Sequence, residues 1–225
     1  MSRRRRVLLA LALAPVVLVV AFALRATVFA PRFDVPSIAA APGYQDPALL
    51  AEAWALPVAR AFGGEVTFQS NGSVCGPSSV ANVFRSLGEP AATEGAVLDG
   101  AGVCRTGFCF MGLTLDELAA VAQRRSTRKV TIHRDLDADA FRALLARTND
   151  PTRRFVVNFH RGMLFGEGTG HHSPIGGYLA DRGLVFVLDV NRAFGPWLVT
   201  VERLFAAVDT VDGSSGRKRG LLEIE

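Results

Sequence analysis

The order in which two periodicities appear along the chain limits the fold more than any other feature. The helical periodicity lies before Ala146, where only the polar segment at His133 and Arg134 reads as strand or loop, and the apolar strand-like runs come afterwards. Asp46-Pro47 offers a cap followed by proline at the first helical position, and Leu49, Leu50 and Trp54 form a stripe that Pro57 breaks. Val80, Val83, Phe84 and Leu87 fall at i, i+3, i+4 and i+7, which predicts a helix that Gly88 ends and Cys75 begins. Thr114 and Glu117 read as a capping box opening a helix from Leu115 through Ala122, and a third helix is expected over Asp137 to Ala146. Phe155 to His160 and Leu184 to Val190 then read as strands, with Asp181-Arg182-Gly183 as the turn between the second and the preceding Ile175 to Ala180. Helices first and antiparallel strands later make an α+β domain.

The N-terminus follows a different logic. Arg3 to Arg6 precede Val7 to Leu24, an apolar run of 18 residues closed by Arg25. Basic residues before such a run favour an N-inside orientation and place the remainder outside the cytoplasm. The run exceeds the roughly 7–15 residues of a signal-peptide core and just reaches the ~18 of a spanning helix. Residues 1–25 are therefore expected as an uncleaved anchor or, with Ala21-Phe22-Ala23 as a small-x-small site, as a cleaved signal. Residues 26–45, with Pro31, Pro36 and Pro42, suit an extended Pro/Ala-rich linker, and the catalytic domain is expected over 46–225. The expected location is the periplasm, with residues 7–24 in the inner membrane. Outside the first 25 residues, 20 basic side chains face 21 acidic ones, a net of −1, which leaves no electrostatic case for nucleic acid.

Three cysteines cannot all pair. Cys104 and Cys109 lie in a Gly-rich segment where an oxidising compartment would let them close a small disulfide loop, and two unlinked thiols fit the sequence equally. Cys75 at a helix N-terminus sits where exposed amides and the helix dipole stabilise a thiolate. Gln69, six residues upstream, offers a side-chain amide that can join the backbone N–H of a nucleophile in holding an oxyanion. A base must come from four histidines, His133, His160, His171 and His172. His171 and His172 follow the glycine-rich Gly166 to Gly170, and adjacent strand residues face opposite ways, so one is expected to face a cleft and the other not. Asp189 on the next strand of the hairpin is placed to accept the second imidazole N–H and fix its tautomer.

Gln69 with Cys75-Gly76, then Phe159-His160-Arg161-Gly162, Gly168-Thr169-Gly170-His171-His172-Ser173-Pro174-Ile175-Gly176-Gly177-Tyr178 and Leu188-Asp189-Val190-Asn191-Arg192, resemble the phytochelatin synthase family. The resemblance implies a papain-like cysteine peptidase fold, with Cys75 as nucleophile, His171 as base, Asp189 as orienting acid and Gln69 in the oxyanion hole. It implies Arg192 as a clamp on a substrate carboxylate, with Arg161 as a weaker second candidate. The substrates it implies are glutathione and related γ-glutamyl thiol peptides, held as a γ-glutamylcysteinyl thioester that passes to water or to a second glutathione. No cofactor and no protein metal site are expected; thiophilic ions such as Cd or Zn enter as thiolates of the substrate. After Arg192 the stretch Ala193-Phe194-Gly195-Pro196-Trp197 is shorter than the family's aromatic, Lys-containing segment, which favours hydrolysis over transfer. Metal sensing by the Cys-rich C-terminal region of the plant enzymes is not inherited, and a homodimer is left open. Two other readings remain: an exported papain-like peptidase acting on a peptide, for example after paired glycines, and an anchored binding module without turnover.

Overall fold

The computed structural model describes residues 13–22, 44–102, 104, 109 and 112–225. The chain divides into two compact units, Met1–Arg32 and Phe33–Glu225. In the first, residues 13–22 form a helix with exposed side chains; the rest of the expected anchor or signal, and residues 26–43 of the expected linker, lie outside the described residues. Among the described residues no helix is long and apolar enough to cross a membrane.

The second unit begins with helices, as the periodicity predicts. Helix α1 (Pro47–Trp54) starts where the Asp46 carboxylate accepts from the N–H groups of Ala48 and Leu49. Next come α2 (Pro57–Arg60), α3 (Cys75–Leu87), α4 (Glu94–Leu98) and α5 (Leu115–Arg125). Gly88 ends α3 at φ +70°, and the Thr114/Glu117 capping box opens α5, which runs to Arg125, past the expected Ala122. The chain then alternates: β1 (Val130–Arg134), α6 (Ala138–Ala146, capped by Asp137), β2 (Arg154–His160), α7 (Arg161–Phe165), β3 (Gly170–Leu179), β4 (Leu184–Leu188), β5 (Pro196–Thr200) and α8 (Val201–Val208). A short hairpin, β6 (Val211–Asp212) and β7 (Arg217–Lys218), precedes β8 (Gly220–Ile224).

Six strands form one sheet in the order β1-β8-β2-β3-β4-β5, every neighbour antiparallel. It separates two apolar clusters. Val156, Phe186, Leu188 and Leu222 meet α3 and α5 through Val80, Phe84, Leu118 and Val121. Phe155, Val157, Phe159, Val187 and Trp197 meet α6 and α8 through Phe141, Leu145 and Leu204. Each such side chain, once fully buried, contributes about 1.5–3 kcal/mol. A one-residue slip of any central strand would exchange its two faces, so burial on both sides fixes the register that carries the site.

Gly177 shows how closely the first helices approach the sheet. It has φ +138° beside an irregularity in the β3–β4 pairing, and a Cβ there would lie 2.6 Å from Leu56 Cδ1 and 2.9 Å from Asn149 Oδ1. Asn149 braces the same bend, its amide donating to Tyr178 O and its Oδ1 accepting from Tyr178 N, both at 2.8 Å.

One expected boundary moves. Tyr44 and Gln45 fall within the expected linker, yet Tyr44 is buried against Phe165 and Trp197, and its carbonyl accepts from Leu198 N at 2.7 Å. Gln45 donates to Phe194 O at 2.7 Å. Both belong to the folded body, because an aromatic side chain and an unpaired amide gain more there than on a tether.

Candidate active site

Asp189 is fully buried, one residue past the end of β4, and both of its oxygens are engaged. Oδ1 accepts from His171 Nε2 at 3.1 Å, Arg161 Nη2 at 2.8 Å and Asn191 N at 2.8 Å; Oδ2 accepts from Trp197 Nε1 at 3.0 Å. Burial alone would raise its pKa. The Arg161 guanidinium first, and then His171 by charge and hydrogen bond, hold it well below the usual carboxylate range.

His171 stands opposite Phe159 in the β2–β3 ladder and packs edge-on against that ring. Burial and the Arg161 charge lower its pKa, but Asp189 and Cys75 together outweigh them and raise it. With Nε2 on Asp189, its Nδ1 is the nitrogen left for chemistry. Cys75, the first residue of α3, is buried at 8% exposure and is the free cysteine. Burial pushes the thiol up; the His171 charge, a hydrogen bond from His171 and then contributions of His172 pull it well below the ordinary thiol value. The shifts run in opposite senses, the thiol drawn down and the imidazole drawn up beside a buried carboxylate, which favours a charged pair at Cys75 and His171. Among the described residues no group of three or more His, Cys, Asp or Glu side chains converges as a metal site.

The expectation that only one of the adjacent histidines faces the cleft is corrected. Their partners on β2 do alternate, Phe159 for His171 and Asn158 for His172, and both histidines are buried. Cys75 sits at the end of its helix beside the first residues of β3, so histidines from both faces reach it: His172 Nδ1 lies 3.9 Å from Sγ. Helix and strand are clamped there by Ser79 Oγ, which lies 2.7 Å from Cys75 O and 3.0 Å from His172 O and shares its one proton between the two carbonyls.

Gln69 lies on the loop entering α3, its N–H bound to Val190 O at 2.8 Å, one residue from Asp189. Its amide nitrogen donates to Asn71 O at 2.8 Å, while its Oε1 is buried without a protein partner among the described residues. Arg192 is exposed with its guanidinium 4.9 Å from the centre of the Phe68 ring, so it stands beside the same loop. Arg161 departs from its expected role as a carboxylate clamp. It is 4% exposed, is bound to Asp189 and lies 3.6 Å over the Phe194 ring, so its charge is committed to the buried Asp189 carboxylate.

Sequence reasoning missed Trp197 and Asn158. Trp197 was read only as part of a shortened segment, and its contact with Asp189 depends on the β4–β5 register that sets Val187 opposite Trp197. Cys104 and Cys109 are disulfide-bonded. Cys109 N donates to Ser73 Oγ at 3.0 Å, and Ser73 N and Oγ both donate to Asn71 Oδ1, so the disulfide is tied to the turn that delivers Cys75.

The model of the phytochelatin synthase family matches residues 103–221, about half the chain. That stretch holds His171, Asp189 and Arg192; Cys75 and Gln69 lie outside it and reach the site through the fold. Glutathione gamma-glutamylcysteinyltransferase 1 of Arabidopsis thaliana is 39% identical over 88 residues, 38% of this chain and 18% of that protein. The corresponding enzyme of Schizosaccharomyces pombe is 28% identical over 117 residues, 51% of this chain and 28% of its own length. The chain thus spans less than a third of either relative. Among solved structures, the peptidase domain of Streptococcus ComA is similar at a TM-score of 0.48 and 16% identity, over 71% of this chain and 95% of that one. The family match takes in the strands that carry the histidine and the aspartate, and on it the chain belongs to the phytochelatin synthase family.

Proposed function

We propose that the chain cleaves the cysteinyl-glycine amide of glutathione through a thioester on Cys75. The observation that carries this reading is a free thiol on the first residue of α3, set against the histidines that open β3, with His171 held by the buried Asp189 carboxylate. The Cys75 thiolate attacks the carbonyl carbon, and its new C–S bond places negative charge on oxygen. The backbone N–H at the start of α3, unpartnered by helix geometry, and the Gln69 amide face that charge once Gln69 releases Asn71. As the C–N bond breaks, His171 gives its Nδ1 proton to the departing glycine amine. His171 then takes a proton from the acceptor, water or the amine of a second glutathione, as that group displaces Cys75 from the acyl carbon.

Arg192, exposed and held over Phe68, is assigned to a substrate carboxylate, a role its planar fork suits. The short segment between Arg192 and Trp197 leaves the acceptor less held and favours water. An anchored, exported location is part of the same reading and rests on the arginine-flanked run of residues 7–24. Product analysis of glutathione incubated with the full chain, with and without Cd or Zn, tests it. Glycine and γ-glutamylcysteine are expected, with longer γ-glutamylcysteinyl peptides rising only when metal thiolates are supplied. Glutathione left intact under all conditions would contradict the reading.

A further inference from the structure

Residues 65–74, which deliver Gln69, form neither helix nor strand, yet their backbone is tied on both sides of that residue. Thr67 is bound in both senses by the buried Asn82 side chain on α3, Thr67 N to Asn82 Oδ1 at 2.9 Å and Asn82 Nδ2 to Thr67 O at 2.8 Å. Gln69 N donates to Val190 O, next to Asp189. The following amide, Ser70 N, donates to Glu94 Oε1 at 2.9 Å, and Ser70 Oγ donates to Glu94 Oε2 at 2.6 Å. Ser78 Oγ, one turn after Cys75 on α3, also donates to Glu94 Oε1. Glu94 opens α4, a helix of five residues, and its carboxylate accepts all three of these hydrogen bonds from outside that helix. A carboxylate offers only acceptor sites, so one side chain can gather a backbone amide and two hydroxyls, and its charge strengthens each bond. The Gln69 amide meanwhile rests on Asn71 O at 2.8 Å and must leave it to face an oxyanion. That swing keeps its aim only while the main chain beside it stays in place.

We propose that Glu94 is a positioning residue for the oxyanion site: it fastens the main chain after Gln69 to the first turn of α3, so that the Gln69 amide swings onto the oxyanion without carrying the loop with it. Glu94 touches no substrate atom and acts through Gln69. The proposal rests on the reading of Cys75 as nucleophile and Gln69 as oxyanion donor. An oxyanion contact exists only in the transition state, so a loss of aim lowers kcat and leaves KM in place.

Glycine release from glutathione by the full chain provides the test. Glu94→Asp keeps the charge and withdraws the carboxylate by one methylene. Its kcat should fall about tenfold, less than the ~10²–10³ that deletion of an oxyanion donor costs, with KM within about twofold. Glu94→Gln loses the charge but keeps an oxygen for Ser70 N, and should retain most of the wild-type kcat. In a Gln69→Ala background, itself slow, Glu94→Asp should cost little more, because the side chain it aims is gone. Cys104 and Cys109 are bonded to each other, so iodoacetamide reports on Cys75 alone, and its alkylation rate against pH should be the same in Glu94→Asp as in the wild type. A wild-type kcat in folded Glu94→Asp, a Glu94→Gln as slow as Glu94→Asp, an equal loss with and without Gln69, or a displaced alkylation profile would overturn the proposal while leaving the nucleophile in place. A wild-type kcat in Gln69→Ala, or glutathione left intact by the wild-type chain, would remove the oxyanion reading and this proposal with it.

Discussion

Trp197 Nε1 donates a 3.0 Å hydrogen bond to Asp189 Oδ2, the carboxylate oxygen that His171 leaves free. The indole thus fixes the plane of the carboxylate from β5 while the imidazole approaches from β3. Trp197→Phe keeps most of the buried volume and removes only the donor. Turnover of glutathione should fall by about tenfold, and urea denaturation should show a loss of about 1–3 kcal/mol, the cost of a buried acceptor left without its partner. Equal turnover in the variant would show that the carboxylate needs no such brace.

The pH profile of turnover follows from opposite shifts. Cys75 is lowered, so the thiolate persists into acid, and activity falls only as pH drops through that depressed value. His171 is raised, so its leaving-group proton persists above the ordinary imidazole value, and activity falls as pH rises through the raised one. The result is a bell with its acid limb below the usual thiol range and its alkaline limb above the usual histidine range. Asp189→Asn removes the largest influence raising His171 and should move the alkaline limb to lower pH.

Arg161 acts on His171 in the opposite sense, lowering it while also holding Asp189. Arg161→Gln should therefore move the alkaline limb to higher pH while stability falls. Removing one partner of a buried ion pair costs about 3–5 kcal/mol, reduced here because His171 and Trp197 remain on the carboxylate. A profile unchanged in both limbs, read with denaturation of the same variant, would contradict this assignment.

Gly177→Ala tests the approach of the first helices to the sheet. A methyl group at φ +138°, 2.6 Å from Leu56 Cδ1, should cost about 1–3 kcal/mol through strain and displacement of α1 and α2. The thiol alkylation profile should be unaffected in the folded fraction, since Cys75 is positioned by α3. A stability equal to wild type would show that the helices yield freely.

Local signals were legible in the sequence where one short segment determines the outcome. The Asp46 cap, the Thr114/Glu117 box, the Gly88 stop and the strand runs at Phe155 and Leu184 each depend on neighbours within a few residues. Residue type, helix position and resemblance agree in singling out Cys75, His171 and Asp189, and the fold sets His171 Nε2 3.1 Å from Asp189 with Cys75 first in α3. What the sequence concealed depends on strand order. β8 inserts between β1 and β2 from the far end of the chain, and that brings Arg219 to Asn158, which lies opposite His172 in the β2–β3 ladder. Arg161 looks like a surface residue in its dipeptide context, but α7 turns it inward onto Asp189, among the rings of Phe159, Phe165 and Phe194.

The central claim is a covalent γ-glutamylcysteinyl thioester on Cys75, and intact-protein mass spectrometry after rapid acid quench of the full chain with glutathione measures it directly. The expected result is a mass increase equal to one γ-glutamylcysteinyl group, matched by one free glycine, lost after treatment with hydroxylamine and absent in Cys75→Ala. Glycine released at an undiminished rate by Cys75→Ala, with no adduct on the wild-type protein, would contradict it.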